Sequence, residues 1–209
     1  MRKFKFFLNF DKEEQWLNEM AKQGYQLTNK SSFGYEFQPA KPEPAMIKID
    51  YRTFKKKGDF EDYLALFEDC GWKHIAGTKS SGTQYFKRSD ARGNEDIFSD
   101  ADSKASRYKR ISEMWITLAA TFIPIFAALV STGSIKVGAL LNPKLLYYTP
   151  GLWEKTGASF WTAFLFETPF AFFRGFFWMI IPLMIILYLF FAYKANKQYQ
   201  MTQENKHIK

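Results

Sequence analysis

Residues 176–193 read FFWMIIPLMIILYLFFAY, eighteen positions without a charge, and Lys194 and Lys197 follow at once. As an α-helix this stretch measures about 27 Å, close to the hydrocarbon thickness of a bilayer. It is apolar on every side, whereas a helix on the surface of a soluble domain keeps a polar face. The pattern predicts a transmembrane helix over 174–193 and a basic tail over 194–209.

Upstream, 111–131 is a second apolar run, entered from Arg107, Lys109 and Arg110 and carrying Pro124 near its middle, as the first carries Pro182. A proline inside a span removes one backbone hydrogen bond and is read here as a tolerated kink. Lys and Arg flank the outer ends of both spans, while Lys136, Lys144, Lys155 and Arg174 are spread thinly between them. By the positive-inside rule both termini are expected in the cytoplasm.

The connection over 132–173 contains ASFWTAFLFETPFAFF at 158–173, apolar yet interrupted by Glu167 and Pro169. A carboxylate is costly in hydrocarbon, so this segment is expected to be interfacial or re-entrant rather than a third span. The residues expected at the membrane interface are Arg107, Lys109, Arg110, Trp115, Trp153, Trp161, Arg174, Trp178, Lys194 and Lys197.

The mean hydropathy of −0.29 conceals this division. Residues 1–90 carry 16 Lys and Arg against 13 Asp and Glu, whereas 114–209 carry 8 against 3. The first part therefore reads as a cytosolic globular domain. The basic residues alternate with acids there, so the net charge of +8 does not point to nucleic acid. One cysteine, Cys70, excludes an intrachain disulfide. Residues 1–10 lack the long apolar core of a cleavable signal peptide.

The cytosolic domain repeats itself. Phe4, Phe6, Leu8 and Phe10 alternate as in a strand; a helix then opens at Asp11 with Glu14 as a capping pair, turns Leu17, Met20 and Ala21 inward, and stops at Gly24. Short strands are expected over 25–28 and 34–38, joined by a turn at 29–32. In the second copy Ile47, Ile49 and Tyr51 alternate, a helix opens at Asp59 with Phe60, Tyr63, Leu64 and Phe67 inward, Gly71 ends it, and strands follow over 72–76 and 83–87. Gly24 answers Gly71 and Phe37 answers Phe86, at offsets of 47 and 49. Two strand-helix-strand-strand units predict an α+β fold, with one antiparallel six-stranded sheet and both helices on one face. The stretch over 91–110, rich in Ser and Asp, is expected to be a flexible polar linker.

Chemistry-bearing groups are sparse. His74 lies in a predicted strand and His207 in the tail, and no zinc spacing, phosphate loop or nucleophile elbow occurs. The chain reads as a non-enzyme without a cofactor. Acids at each helix start, Asp11, Glu13 and Glu14, then Asp59, Glu61 and Asp62, read as helix caps rather than catalytic pairs. The stronger candidates are aromatic: Trp16, Tyr25, Tyr35, Tyr51, Tyr63, Trp72 and Tyr85 exceed what so small a core requires. On a concave sheet between the repeats they would suit a small apolar or cationic ligand.

Phe4–Phe7, the helix at Glu14-Gln15-Trp16-Leu17, Gly24-Tyr25, Tyr51-Arg52, Cys70-Gly71-Trp72 and Tyr85-Phe86 resemble a bacterial family designated domain of unknown function 2812. The resemblance implies a membrane protein often encoded beside PadR-type transcriptional regulators, and names no activity. The paired units are also similar in layout to GyrI-like ligand-binding domains, a likeness of topology only. The expected role is a membrane-anchored regulatory or sensory protein that binds a small ligand, or a membrane or regulatory protein partner. The alternative is an accessory or pore-forming subunit, which with two helices would require a homo-oligomer or a partner.

Overall fold

A computed structural model describes residues 1–31, 34–90 and 96–204. Part of the turn expected at 29–32, the start of the polar linker, and Lys206, His207 and Lys209 of the tail lie outside the described residues. The chain divides into two compact units, Met1–Glu113 with Phe191–Lys209, and Met114–Phe190.

In the first unit the duplication is explicit. Helix α1 (Phe10–Lys22) and helix α2 (Lys57–Asp69) have thirteen residues each. Each ends before a glycine with φ of +82°, Gly24 and Gly71, a conformation that a Cβ would strain. Each helix is followed by an antiparallel hairpin, β2 (Tyr25–Ser31) with β3 (Gly34–Pro39), and β5 (Trp72–Ala76) with β6 (Thr83–Arg88). Each hairpin carries one irregularity at the equivalent place, between Leu27 and Asn29 and between His74 and Ala76. The leading strands β1 (Arg2–Lys3) and β4 (Ile47–Tyr51) complete the units.

The strands form two three-stranded antiparallel sheets, ordered β1-β3-β2 and β4-β6-β5. Strands β2 and β5 adjoin without a hydrogen-bonded ladder, so a continuous six-stranded sheet is not formed. Strand β1 also corrects the alternation expected over Phe4–Phe10. It pairs with β3 through Arg2–Glu36 and Lys3–Tyr35, ahead of the residues expected to alternate. Phe4 and Phe6 are instead 73% and 67% exposed, and the Phe6 ring meets Phe191 at 5.8 Å. Alternation of apolar residues describes a strand only where a partner backbone is present.

Helix α1 is capped by Asn9, whose side chain accepts from the Lys12 amide at 3.0 Å, and not by Asp11 and Glu14. Its inward face is Phe10, Glu13, Glu14, Leu17, Met20 and Ala21. Two acids thus sit on the buried side. The core beside α2 is Tyr63, Trp72 and Phe86 with Phe54, Phe60, Leu64 and Phe67 packed around them, close to the expected inner face.

Helix α3 spans Ala101–Ser131, starting from Asp100, which accepts from the Ser103 amide at 2.7 Å. The expected flexible linker is therefore helical from residue 101 onward. Helix α4 spans Gly157–Glu204 without interruption and contains both Pro169 and Pro182. The segment at 158–173, expected as an element apart from the following span, is thus continuous with it. Glu167, whose cost in hydrocarbon suggested the break, is buried and accepts from the Tyr148 amide, the Thr149 amide and the Thr149 hydroxyl. Satisfied by the connection's own backbone, it leaves the helix free to continue. Apolar windows in α3 and α4 have mean hydropathy of 2.0 and 2.3 and only 6% of each is buried, so both are long and apolar enough to cross a membrane and neither is a buried core helix. The Trp115 and Tyr188 rings stack between them at 5.5 Å.

Candidate functional site

Strand β4 has one edge on β6 and the other free of strands. An open edge with unpaired N–H and C=O groups is a liability in a folded protein. Here side chains close it. The Ile47 amide donates to Asn18 Oδ1 at 2.7 Å and the Ile49 amide to Glu14 Oε1 at 3.1 Å, so two positions one helical turn apart on α1 serve alternate residues of the strand. From α3, Arg107 Nη1 donates to the Ile49 carbonyl at 2.7 Å and Arg110 Nε to the Tyr51 carbonyl. The α-helical spacing of each pair matches the two-residue spacing of the strand it serves.

The guanidinium of Arg107 is fully buried. It pairs with Glu14 at 2.6 Å and with Asp11 at 2.7 Å, and the rings of Phe10, Phe98 and Tyr108 lie within 5.2 Å of it. Burial works against its charge, and the carboxylates of Glu14 and Asp11 more than offset this, so the proton is held more tightly than usual. Arg110 pairs with Asp50, which also accepts from the Tyr63 hydroxyl at 3.0 Å. Tyr108 Oη accepts from the Phe10 amide at 3.1 Å. Arg107 therefore bonds α1 of the first repeat and β4 of the second at once. Arg107 and Arg110, expected at the membrane interface, are instead committed to the N-terminal unit; Lys109 between them is exposed. Their spacing allowed a different reading, since charges three apart on a helix share a face that can be buried.

A second cluster lies on α1, beside Glu14. Glu13 Oε1 accepts from the hydroxyls of Tyr35 at 2.7 Å and Tyr85 at 2.6 Å, one from each repeat. Burial pushes the Glu13 carboxyl above its ordinary range, against the lowering effect of the two hydroxyls and of Lys30. Burial and the neighbouring carboxylate push both tyrosines upward as well. The sequence signal for both clusters was present: Glu13 and Glu14 fall between Phe10 and Leu17 on the apolar face of α1, where a carboxylate requires partners.

The seven aromatic candidates do not form one surface. Tyr35 and Tyr85 meet at Glu13, and Trp16 packs edge to face on the Tyr35 ring at 4.8 Å. The chain's own lysines cover two of these rings, Lys5 at 4.9 Å over Trp16 and Lys30 at 4.7 Å over Tyr35. Tyr63 and Trp72 belong to the core beside α2, Tyr51 packs on Phe10 at 6.5 Å, and Tyr25 lies apart under Lys3 at 6.0 Å. His74 is half-buried, bonded to Gln84 at 3.0 Å, and burial lowers its pKa. Of the remaining interface candidates, Trp115 stacks on Tyr188, while Trp153 and Trp161 are 41% and 58% exposed near Phe160 and Phe164. Lys194 and Lys197 are exposed on α4.

The sequence model of a family described as "Protein of unknown function (DUF2812)" matches residues 9–120. The matched stretch runs from the cap of α1 into α3 and contains Arg107, Arg110 and the partners described for those two residues. No curated protein and no solved structure matches the chain.

Proposed function

The chain belongs to the DUF2812 family, and from that premise we propose that it is a membrane-anchored regulatory or sensory protein. Its N-terminal unit receives a small apolar or cationic ligand, or a protein partner, and α3 and α4 hold that unit at the bilayer. The observation that carries this reading is Arg107: it belongs to the helix that runs on into the apolar window, yet its charge is buried among groups from both repeats. A plain anchor has no need of such an attachment. A change of packing between the repeats would alter the partners of Arg107 and so bias the base of α3, as a two-state element requires.

The test uses the full chain in lipid nanodiscs, screened by hydrogen exchange against hydrophobic cations, nucleotides and proteins that co-purify from membranes. The expected result is a binder that changes exchange both in β4 and over 101–113. If none does, and the protein co-purifies with a transport subunit whose flux depends on it, the accessory-subunit reading replaces this one.

A further inference from the structure

The Met114–Phe190 unit contains a partly open cavity of about 280 Å³ between α3, α4 and the connection that joins them. Its walls are apolar, among them Phe126, Ile135, Trp178 and Pro182, and Lys136 is the one charged residue in them. Val137 and Met179, also in the wall, are 47% and 48% exposed, so the cavity reaches the surface. An apolar space of this size gains dispersion contacts from an apolar occupant.

The charge beside it is specific. Lys136 Nζ lies 4.4 Å from the centre of the Tyr148 ring, and the guanidinium of Arg174 lies 3.8 Å from the same ring. Arg174 is adjacent in sequence to Gly175, which lines the cavity. Glu167 balances one of the two cations at 3.7 Å from Arg174 Nη1, too far for a hydrogen bond, and spends its oxygens on Tyr148 and Thr149. Arg174 Nη1 is buried and has no hydrogen-bond partner among the described residues. A net positive charge, carried by Lys136 in the wall and by Arg174 on the Tyr148 ring it shares with Lys136, thus accompanies an apolar cavity. Basic pockets between membrane helices recognise anionic headgroups on this principle.

We propose that this cavity holds an acyl chain of an anionic phospholipid, with the lipid phosphate at Lys136 and Arg174. The proposal rests on the reading that α3 and α4 enter the bilayer. A free phosphate would use the cations and leave the cavity empty; a neutral lipid would fill the cavity and leave the cations unanswered.

The full chain is purified from membranes in neutral detergent, and its melting temperature is followed with phosphatidylglycerol, with phosphatidylcholine of the same chains, and with inorganic phosphate. Phosphatidylglycerol is expected to raise the melting temperature most and phosphate not to raise it. Lys136→Gln with Arg174→Gln is expected to lower the apparent affinity for phosphatidylglycerol about thirtyfold, to the level of phosphatidylcholine. Val137→Trp, at an exposed position of the wall, is expected to abolish the response to both lipids. Equal responses to the two lipids, a response to phosphate alone, or a response that survives Val137→Trp overturns the proposal. Should a variant fail to fold, mass spectrometry of lipid retained by the wild-type chain decides: enrichment of anionic lipid over the source membrane supports the site, and the membrane's own ratio overturns it. Recovery of the chain in the soluble fraction would instead defeat the reading that the helices enter the bilayer.

Discussion

Glu13 carries the clearest consequence at the level of a single residue. Its carboxyl is buried, accepts from Tyr35 and Tyr85, and has its pKa raised chiefly by burial. A carboxyl whose folded pKa exceeds its unfolded one favours the fold while protonated. That contribution is complete below the ordinary glutamate range and is lost as pH rises through the raised value. Glu13→Gln keeps an oxygen for both hydroxyls and cannot ionise. We expect thermal melting to find Glu13→Gln at least as stable as wild type at about pH 8, with the difference shrinking or reversing toward about pH 5. Glu13→Leu removes the acceptor and is expected to cost about 1–3 kcal/mol for each stranded hydroxyl. Parallel pH profiles for wild type and Glu13→Gln would refute the assignment.

Between elements, the decisive event is the docking of the first turns of α3 on β4 and α1. Removing one partner of a buried ion pair leaves the other charge uncompensated, at about 3–5 kcal/mol. Arg107→Met in the full chain is therefore expected to lose stability of that order, because Glu14 remains buried and the Ile49 carbonyl loses its donor. Lys109→Met, two residues along the same helix and exposed, is expected to change stability by no more than about 0.5 kcal/mol. Denaturant titration of the two variants measures the contrast, and similar losses would show that helix composition rather than docking matters. A fragment ending at residue 90 lacks Arg107, Tyr108 and Arg110, and the Ile49 and Tyr51 carbonyls of β4 would lose their side-chain donors.

For the molecule as a whole, the end of α4 returns to the unit that holds the start of α3. Gln198 bonds Asn9 at 2.8 Å, Gln203 bonds Asp102 at 3.1 Å, and the Ser112 hydroxyl donates to the Ala192 carbonyl at 3.0 Å. If both apolar helices cross a bilayer, the outer ends of the hairpin emerge on one side. The cytoplasmic face is the expected side, from Lys194 and Lys197. Cys70, the single cysteine, is exposed in the N-terminal unit and reports this directly. A membrane-impermeant maleimide should label it in inverted vesicles and not in sealed right-side-out ones. The opposite pattern would reverse the orientation.

Both apolar windows, the two glycine helix stops and the strand-helix-strand-strand order were legible in the sequence, because each depends on local periodicity or on a conformation that only glycine adopts freely. The strand expected over Phe4–Phe10, the flexible linker and the break now found to lie inside α4 were misread, because each depended on what a distant residue supplies: a partner strand, which β3 gives to Arg2 and Lys3, carboxylates at Asp11 and Glu14 for Arg107, and amides at Tyr148 and Thr149 for Glu167. Composition determined that this chain is part globular and part apolar helix. Whether a charge lies in water, in lipid or in a buried pair is decided by its partner, and only the tertiary structure brings the partner to it.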